Sequence, residues 1–126
     1  MGTAPPLKDF RELRVWQAAM QLVTAVYRLT SQLPASEQYG LISQMRRASV
    51  SVPSNIAEGY CRESVKDYLR LLVIAQGSLA ELETQIEVAE RLEYWPAVEA
   101  GQLLSEAQSV ARLLRALRNS LLPLAQ

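Results

Sequence analysis

The sequence predicts an all-α protein, an antiparallel up-down-up-down four-helix bundle with a proline kink in helix 2. Three observations carry this. Ala, Leu, Glu, Gln and Arg dominate while aromatics are 6% of the residues, a mix that favours helix over sheet. Apolar residues recur at three- and four-residue steps in four separate stretches. Short links join the stretches, which makes sequence neighbours antiparallel. A chain of 126 residues suffices for one domain with its own core. Its expected bounds are 9–122, between a flexible tail 1–8 and a C-terminal tail 123–126.

Pro5 and Pro6 oppose helix in the N-terminal tail. Asp9 and Glu12 then have the spacing of a capping box. Beyond them two apolar sets step along one helix. One is Leu13, Trp16, Met20, Val23, Tyr27 and Thr30; the other is Val15, Ala19, Leu22, Val26, Leu29 and Leu33. At the helical repeat the sets lie roughly 100° apart, so together they cover near half the circumference. A small monomeric bundle needs less. Either a second packing partner or a crowded bundle corner accounts for the surplus, and the sets alone do not say which one faces the core.

Pro34 is expected to end this helix. A second should run from about Glu37 to Glu58 with Leu41, Met45, Ala48 and Val52 as its apolar stripe, and Gly59 as its stop. Pro53 lies inside it. Proline removes one backbone hydrogen bond and clashes with the carbonyl one turn back, so a bend is expected near residues 49–52. Ser49 and Ser51 are candidates to satisfy freed carbonyls. Gln44, Arg47, Asn55 and Glu58 form a polar strip beside the apolar one.

Ser64 is the expected N-cap of the third helix. Val65, Tyr68, Leu72, Ala75, Leu79, Leu82, Ile86 and Ala89 give the most regular helical pattern in the chain. "EYWP" interrupts it, and Pro96 suits a first helical turn. Leu103, Ala107, Val110, Leu114, Leu117 and Leu121 supply the last stripe, closed by Pro123. Counting back from the turn between helices 2 and 3 sets Ala48 near Gly77, so a close crossing of small residues is expected there.

The chain contains no histidine and one cysteine, Cys61. The Ser-His-Asp and Cys-His forms of nucleophilic catalysis are thereby excluded. No metal and no cofactor are expected. No carboxylates stand at a catalytic spacing, so no catalytic residue is assigned and an enzyme is not expected. A single cysteine forms no internal disulfide, which suits a reducing compartment. No signal-peptide h-region and no membrane-length apolar run are seen, so a cytoplasmic protein without a membrane partner is expected.

Formal net charge is zero, but residues 1–50 are basic and the rest acidic. Such asymmetry can help like subunits pack head to tail. Arg11, Arg14, Arg46, Arg47, Arg112, Arg115 and Arg118 are the candidate phosphate contacts if RNA or DNA is bound. Against them stand solvation or pairing with the Glu-rich third helix, and no base-reading motif is present.

The segments "LRVWQAAMQLV", "LPASEQYGLISQMRRASVSVPSNIAEGY" and "YLRLLVIAQGSLAELETQIEVAERL" carry a resemblance over about residues 10–121. They resemble the bacterial four-helix-bundle family named for open reading frames in 23S rRNA intervening sequences. The distinctive pieces are Glu37-x-Tyr-Gly-Leu, Gln44-x-Arg-Arg-Ala, Asn55-Ile-Ala-Glu-Gly and Ala75-x-Gly-Ser-Leu-x-Glu-Leu-Glu. The resemblance implies a ring-like homopentamer without known enzymatic activity. It also revises the reading of Gln44, Arg47, Asn55 and Glu58, which become expected helix or subunit contacts. One branch of the family serves as an accessory to a retroelement reverse transcriptase. Those members are basic, whereas this chain has zero net charge and an acidic stretch from Glu81 to Glu93.

Overall fold

The computed structural model describes residues 9–125. Four helices account for most of them: α1 (Arg14–Thr30), α2 (Ser43–Tyr60), α3 (Val65–Arg91) and α4 (Ala97–Leu121). Each packs on the next, and α4 packs back on α1. The 1–8 tail expectation lies outside the described residues.

The start of α1 differs from the expected capping box. The Asp9 carboxylate does accept a backbone N–H, from Arg11, but it caps a separate 3₁₀ turn, Phe10–Glu12. Leu13 is extended, and only then does α1 begin. The helix also stops before Pro34 acts on it. Ser31 is already the C-cap, and the Ser31 hydroxyl donates to the Arg28 carbonyl at 2.6 Å.

Helix α2 starts later than residue 37. A 3₁₀ turn (Ala35–Glu37) leads into a π-helical turn (Gln38–Ile42), in which Gly40 is non-helical at φ −108°, ψ −113°. The Glu37 carboxylate accepts from the Leu41 N–H at 3.1 Å, satisfying a donor the broken helix leaves open. A Cβ at 40 would stand 2.5 Å from Glu37 Oε1, so a larger residue there would push the carboxylate off the Leu41 N–H.

Helical backbone continues through Pro53 to Tyr60. The Ser49 hydroxyl donates to the Arg46 carbonyl at 2.9 Å, while the Ser51 hydroxyl instead pairs with Ser78 of α3 at 2.8 Å. Ser51 with Ser78 and Gly59 with Tyr68 show that α2 and α3 run antiparallel.

Two glycine expectations are corrected. Gly59 is not the stop: it is buried inside α2, and Cys61 is the C-cap. Nor is Gly77 at the close crossing. It is exposed, and a Cβ there would meet no atom within 4 Å. The close approach belongs to Gly59, where a Cβ would lie 2.9 Å from Tyr68 Cδ1 and 3.3 Å from both Leu71 Cβ and the Tyr68 carbonyl. The register differs as well: Ser51 pairs with Ser78, so the level of Ala48 falls about one turn past Gly77 along α3.

Ser64 caps α3 as expected, accepting from the Asp67 N–H at 3.1 Å. At the far end Glu93 and Tyr94 donate back to Glu90 and Ala89, and Glu93 takes a left-handed φ of 62°. This is the Schellman closure, with glutamate where glycine is usual. Pro96 immediately precedes α4, one position ahead of the expected first-turn site.

The core unites Val15, Ala19, Leu22 and Val26 of α1 with Met45, Val52 and Ile56 of α2, Leu72, Leu79, Leu82 and Ile86 of α3, and Leu103, Val110 and Leu114 of α4. Its capped end is tied by two long-range bonds. Trp95 Nε1 donates to the Leu29 carbonyl at 3.1 Å, and Tyr94 Oη donates to Glu37 Oε2 at 3.0 Å.

Candidate assembly surface

The two apolar sets on α1 are now distinguished. The Val15 set faces the core. Of the other, Thr30 is fully buried, Leu13, Trp16 and Val23 are half-buried, and Met20 and Tyr27 remain 39% and 42% exposed. Trp16, Met20 and Val23 join Val50, Pro53, Ser54 and Ala57 of α2 to line a groove of about 270 Å³. Val50 also lines a second cleft, of about 580 Å³, with Tyr27, Gln38, Ile42, Ser43, Arg46, Arg47 and Ser51. The groove and the cleft adjoin at Val50 and together make a furrow along α1 and α2, apolar at one end and basic at the other.

Arg46 is built into the wall of the furrow. Its Nε donates to Thr30 Oγ1 at 2.9 Å and its Nη2 to the Tyr27 carbonyl at 3.3 Å. Its guanidinium lies 4.5 Å from the Tyr27 ring centroid, a cation–π contact. Arg47 is exposed beside it. Among the described residues neither arginine forms an ion pair.

Of the polar strip, Gln44, Arg47 and Glu58 are exposed in the protomer, and Asn55 is half-buried. Asn55 Nδ2 donates to the Ser51 carbonyl at 2.8 Å and to Ser51 Oγ at 3.0 Å. Ser51 reaches Ser78, so Asn55 braces the α2–α3 seam at second hand. Glu58 pairs with Arg62 at 2.6 Å, the expected i,i+4 contact.

The Asn55-Ile-Ala-Glu-Gly block acquires a local reason here. Asn55 steadies Ser51, Ile56 fills the core, and Gly59 admits Tyr68. Tyr68 packs edge-on to Tyr60, with ring centroids 6.3 Å apart. Burial, with a smaller contribution from Tyr60, pushes the Tyr68 hydroxyl up to about 12. The Tyr94 hydroxyl is also raised, first by its hydrogen bond to Glu37. Periodicity puts Tyr68 on the α3 stripe but shows neither its contact with Gly59 nor the Glu37–Tyr94 bond.

The other candidate arginines are arranged by the antiparallel packing. Leu13 and Val15 share an apolar pocket with Leu113 and Leu117, so the start of α1 meets the end of α4. The end of α2 and the start of α3 lie at that same end. Arg11, Arg14, Arg112, Arg115 and Arg118 therefore stand in one half of the bundle, with Arg62, Lys66 and Arg70; Asp9, Glu12, Glu58, Glu63 and Asp67 are the fewer acids there. The opposite half holds Glu37, Glu81, Glu83, Glu87, Glu90, Glu93, Glu99 and Glu106 against Arg28, Arg46, Arg47 and Arg91. Among the described residues the α4 arginines form no ion pair with the α3 glutamates. Arg112 donates to Ser109 and Arg118 to Gln76.

Among the described residues no group of three His, Cys, Asp or Glu could hold a metal ion, and no helix is long and apolar enough to cross a membrane. Cys61 is exposed at the α2–α3 turn.

The fold and its furrow define an all-α four-helix bundle with an uncovered apolar seam. The model of the family described as 23S rRNA-intervening sequence protein matches residues 11–116, and the chain belongs to that family. The chain is also similar to a crystal structure from Bacteroides thetaiotaomicron VPI-5482, described as a protein with unknown function from the S23 ribosomal protein family. The two are 21% identical, the match covers 83% of this chain and 95% of that one, and the TM-score is 0.78. No curated protein matches.

Proposed function

We propose that the protein is a non-enzymatic, homo-oligomeric scaffold of the cytoplasm, assembled through the α1–α2 furrow into a ring that engages another macromolecule. One observation carries this: after the Val15 set has filled the core, a second apolar set on α1 is left at the surface, continuous with apolar residues of α2. Burying such a seam against a like subunit removes apolar area from water at about 25 cal/mol per Å². Arg47 borders the seam and suits its polar rim. Five subunits is the number implied by the family resemblance.

Light scattering tests the reading. A pentamer mass is expected for the unmodified protein, and a monomer mass for Met20→Glu with helicity retained. A monomer mass for the unmodified protein at micromolar concentration rejects assembly.

The grouping of Arg11, Arg14, Arg112, Arg115 and Arg118 in one half favours a second reading, a nucleic-acid-binding accessory acting with an RNA or a reverse transcriptase. The family's description points the same way. Repeating the basic end around a ring would multiply weak phosphate contacts. Titration against structured RNA and duplex DNA at several salt concentrations tests it. Removing Arg115 and Arg118 should lower the salt slope by about 2 if both contact phosphate. An unchanged slope removes them from the interface.

A further inference from the structure

The furrow needs an occupant, and exposed α3 offers one. Val73, Gly77, Ala80, Thr84 and Val88 recur at three- and four-residue steps along α3, and all five are exposed. Glu81 and Glu87 flank this stripe and form no ion pair among the described residues. Gly77 is the telling member. Glycine inside a helix weakens it, so a mid-helix glycine asks for a packing reason. Gly59 has one within the protomer. Gly77 has none, nor does Gly101 of α4: beyond the local backbone of its own helix, no described atom lies within 4 Å of where either Cβ would be.

We propose that the α3 stripe of one copy seats in the α1–α2 furrow of the next. This rests on the assembly reading above and names the two faces that meet. The small residues Gly77 and Ala80 let the incoming helix approach closely. Val73, at the N-terminal end of the stripe, meets Trp16, Met20 and Val23. Its glutamates meet Arg46 and Arg47 at the basic end of the furrow; none of these charges has an ion pair among the described residues, and Arg46 stays held by Thr30 and Tyr27 while it gains one. The two faces are different surfaces of the same molecule, so the contact is heterologous and repeats from copy to copy.

A mixing experiment tests this. Met20→Glu spoils the furrow and leaves the stripe intact. Gly77→Arg spoils the stripe and leaves the furrow intact; it enters open space in the protomer, so the fold tolerates it. Ala80→Arg serves as a second stripe variant, and circular dichroism confirms helicity in each. Each variant alone should scatter as a monomer. An equimolar mixture, at the highest concentration where each alone stays monomeric, should reach the mass of a dimer and go no further, because one good furrow meets one good stripe. If both stripe variants assemble like the unmodified protein while Met20→Glu does not, the stripe is not the occupant although the assembly reading stands. A mixture that remains monomeric also overturns the pairing of faces. A monomeric unmodified protein overturns the assembly reading itself.

Discussion

Gly59 and Tyr68 touch so closely that the seam between α2 and α3 has no room for a methyl group: a Cβ on residue 59 would stand 2.9 Å from Tyr68 Cδ1. The ring cannot simply swing away, since Tyr60 packs against it and the Leu71 Cβ and Tyr68 carbonyl crowd the same point at 3.3 Å. Gly59→Ala should therefore destabilise the protomer by about 1–3 kcal/mol through overpacking, even against the roughly 1 kcal/mol that alanine gains as a helix former. Urea denaturation followed by circular dichroism reads the difference. An unchanged or higher midpoint would show that the seam relaxes freely.

Gly77 should behave in the opposite way in an isolated protomer. With open space around it, Gly77→Ala in a Met20→Glu background is expected to stabilise α3 by about 0.5–1 kcal/mol. Thermal melting of that pair of proteins provides the check.

Glu93 adopts φ 62° without being glycine. The left-handed conformation costs an L-residue roughly 1–2 kcal/mol. Glu93→Gly removes the Cβ responsible and should raise stability by about 0.5–1 kcal/mol once the extra freedom of an unfolded glycine is deducted. A falling melting temperature would mean that the Glu93 side chain contributes something the Schellman closure does not require.

Tyr68 makes stability depend on alkaline pH. Its folded-state value is raised from 10.0 to about 12, so between these values the folded chain holds a proton the unfolded chain has released. Stability is then fully present below pH 10 and falls as pH rises toward 12. Tyr68→Phe should flatten that part of the pH profile in thermal denaturation. The same slope in both proteins would assign the alkaline loss to other groups.

Leu22 and Met20 are neighbours in sequence with opposite fates. Leu22 is 1% exposed and Met20 39%. Leu22→Glu buries an unpaired charge and should abolish cooperative unfolding, whereas Met20→Glu should keep the helical signal and a cooperative transition. Two similar melting curves would mean that the stripes are not inner and outer.

The four stripes were legible because packing preserves the helical repeat: Val15, Met45, Leu72 and Leu103 all lie in the core. Periodicity gives the angle between two sets on α1 but not the direction of the neighbouring helices, so it could not say that the Met20 set looks outward. Gly59 and Gly77 carry the same letter, and only the contacts of α2 with α3 tell a packing glycine from an uncovered one. The π-helical turn escaped notice because it depends on one carboxylate, Glu37, reaching both Leu41 and Tyr94 across 57 residues of chain. The arginines could be counted in the sequence, but their gathering in one half required the antiparallel order of the ends.

Net charge of zero conceals an electric dipole along the bundle. Cyclic symmetry cancels every component of a subunit's dipole perpendicular to the rotation axis and adds every component parallel to it. In a ring of these subunits, the tilt of the bundles therefore decides what a passing polyanion meets. Upright bundles present one attractive rim and one repellent rim, so the particle approaches a charged surface with a preferred orientation. Bundles lying flat cancel the polarity, leaving an overall field much weaker than that of a single subunit.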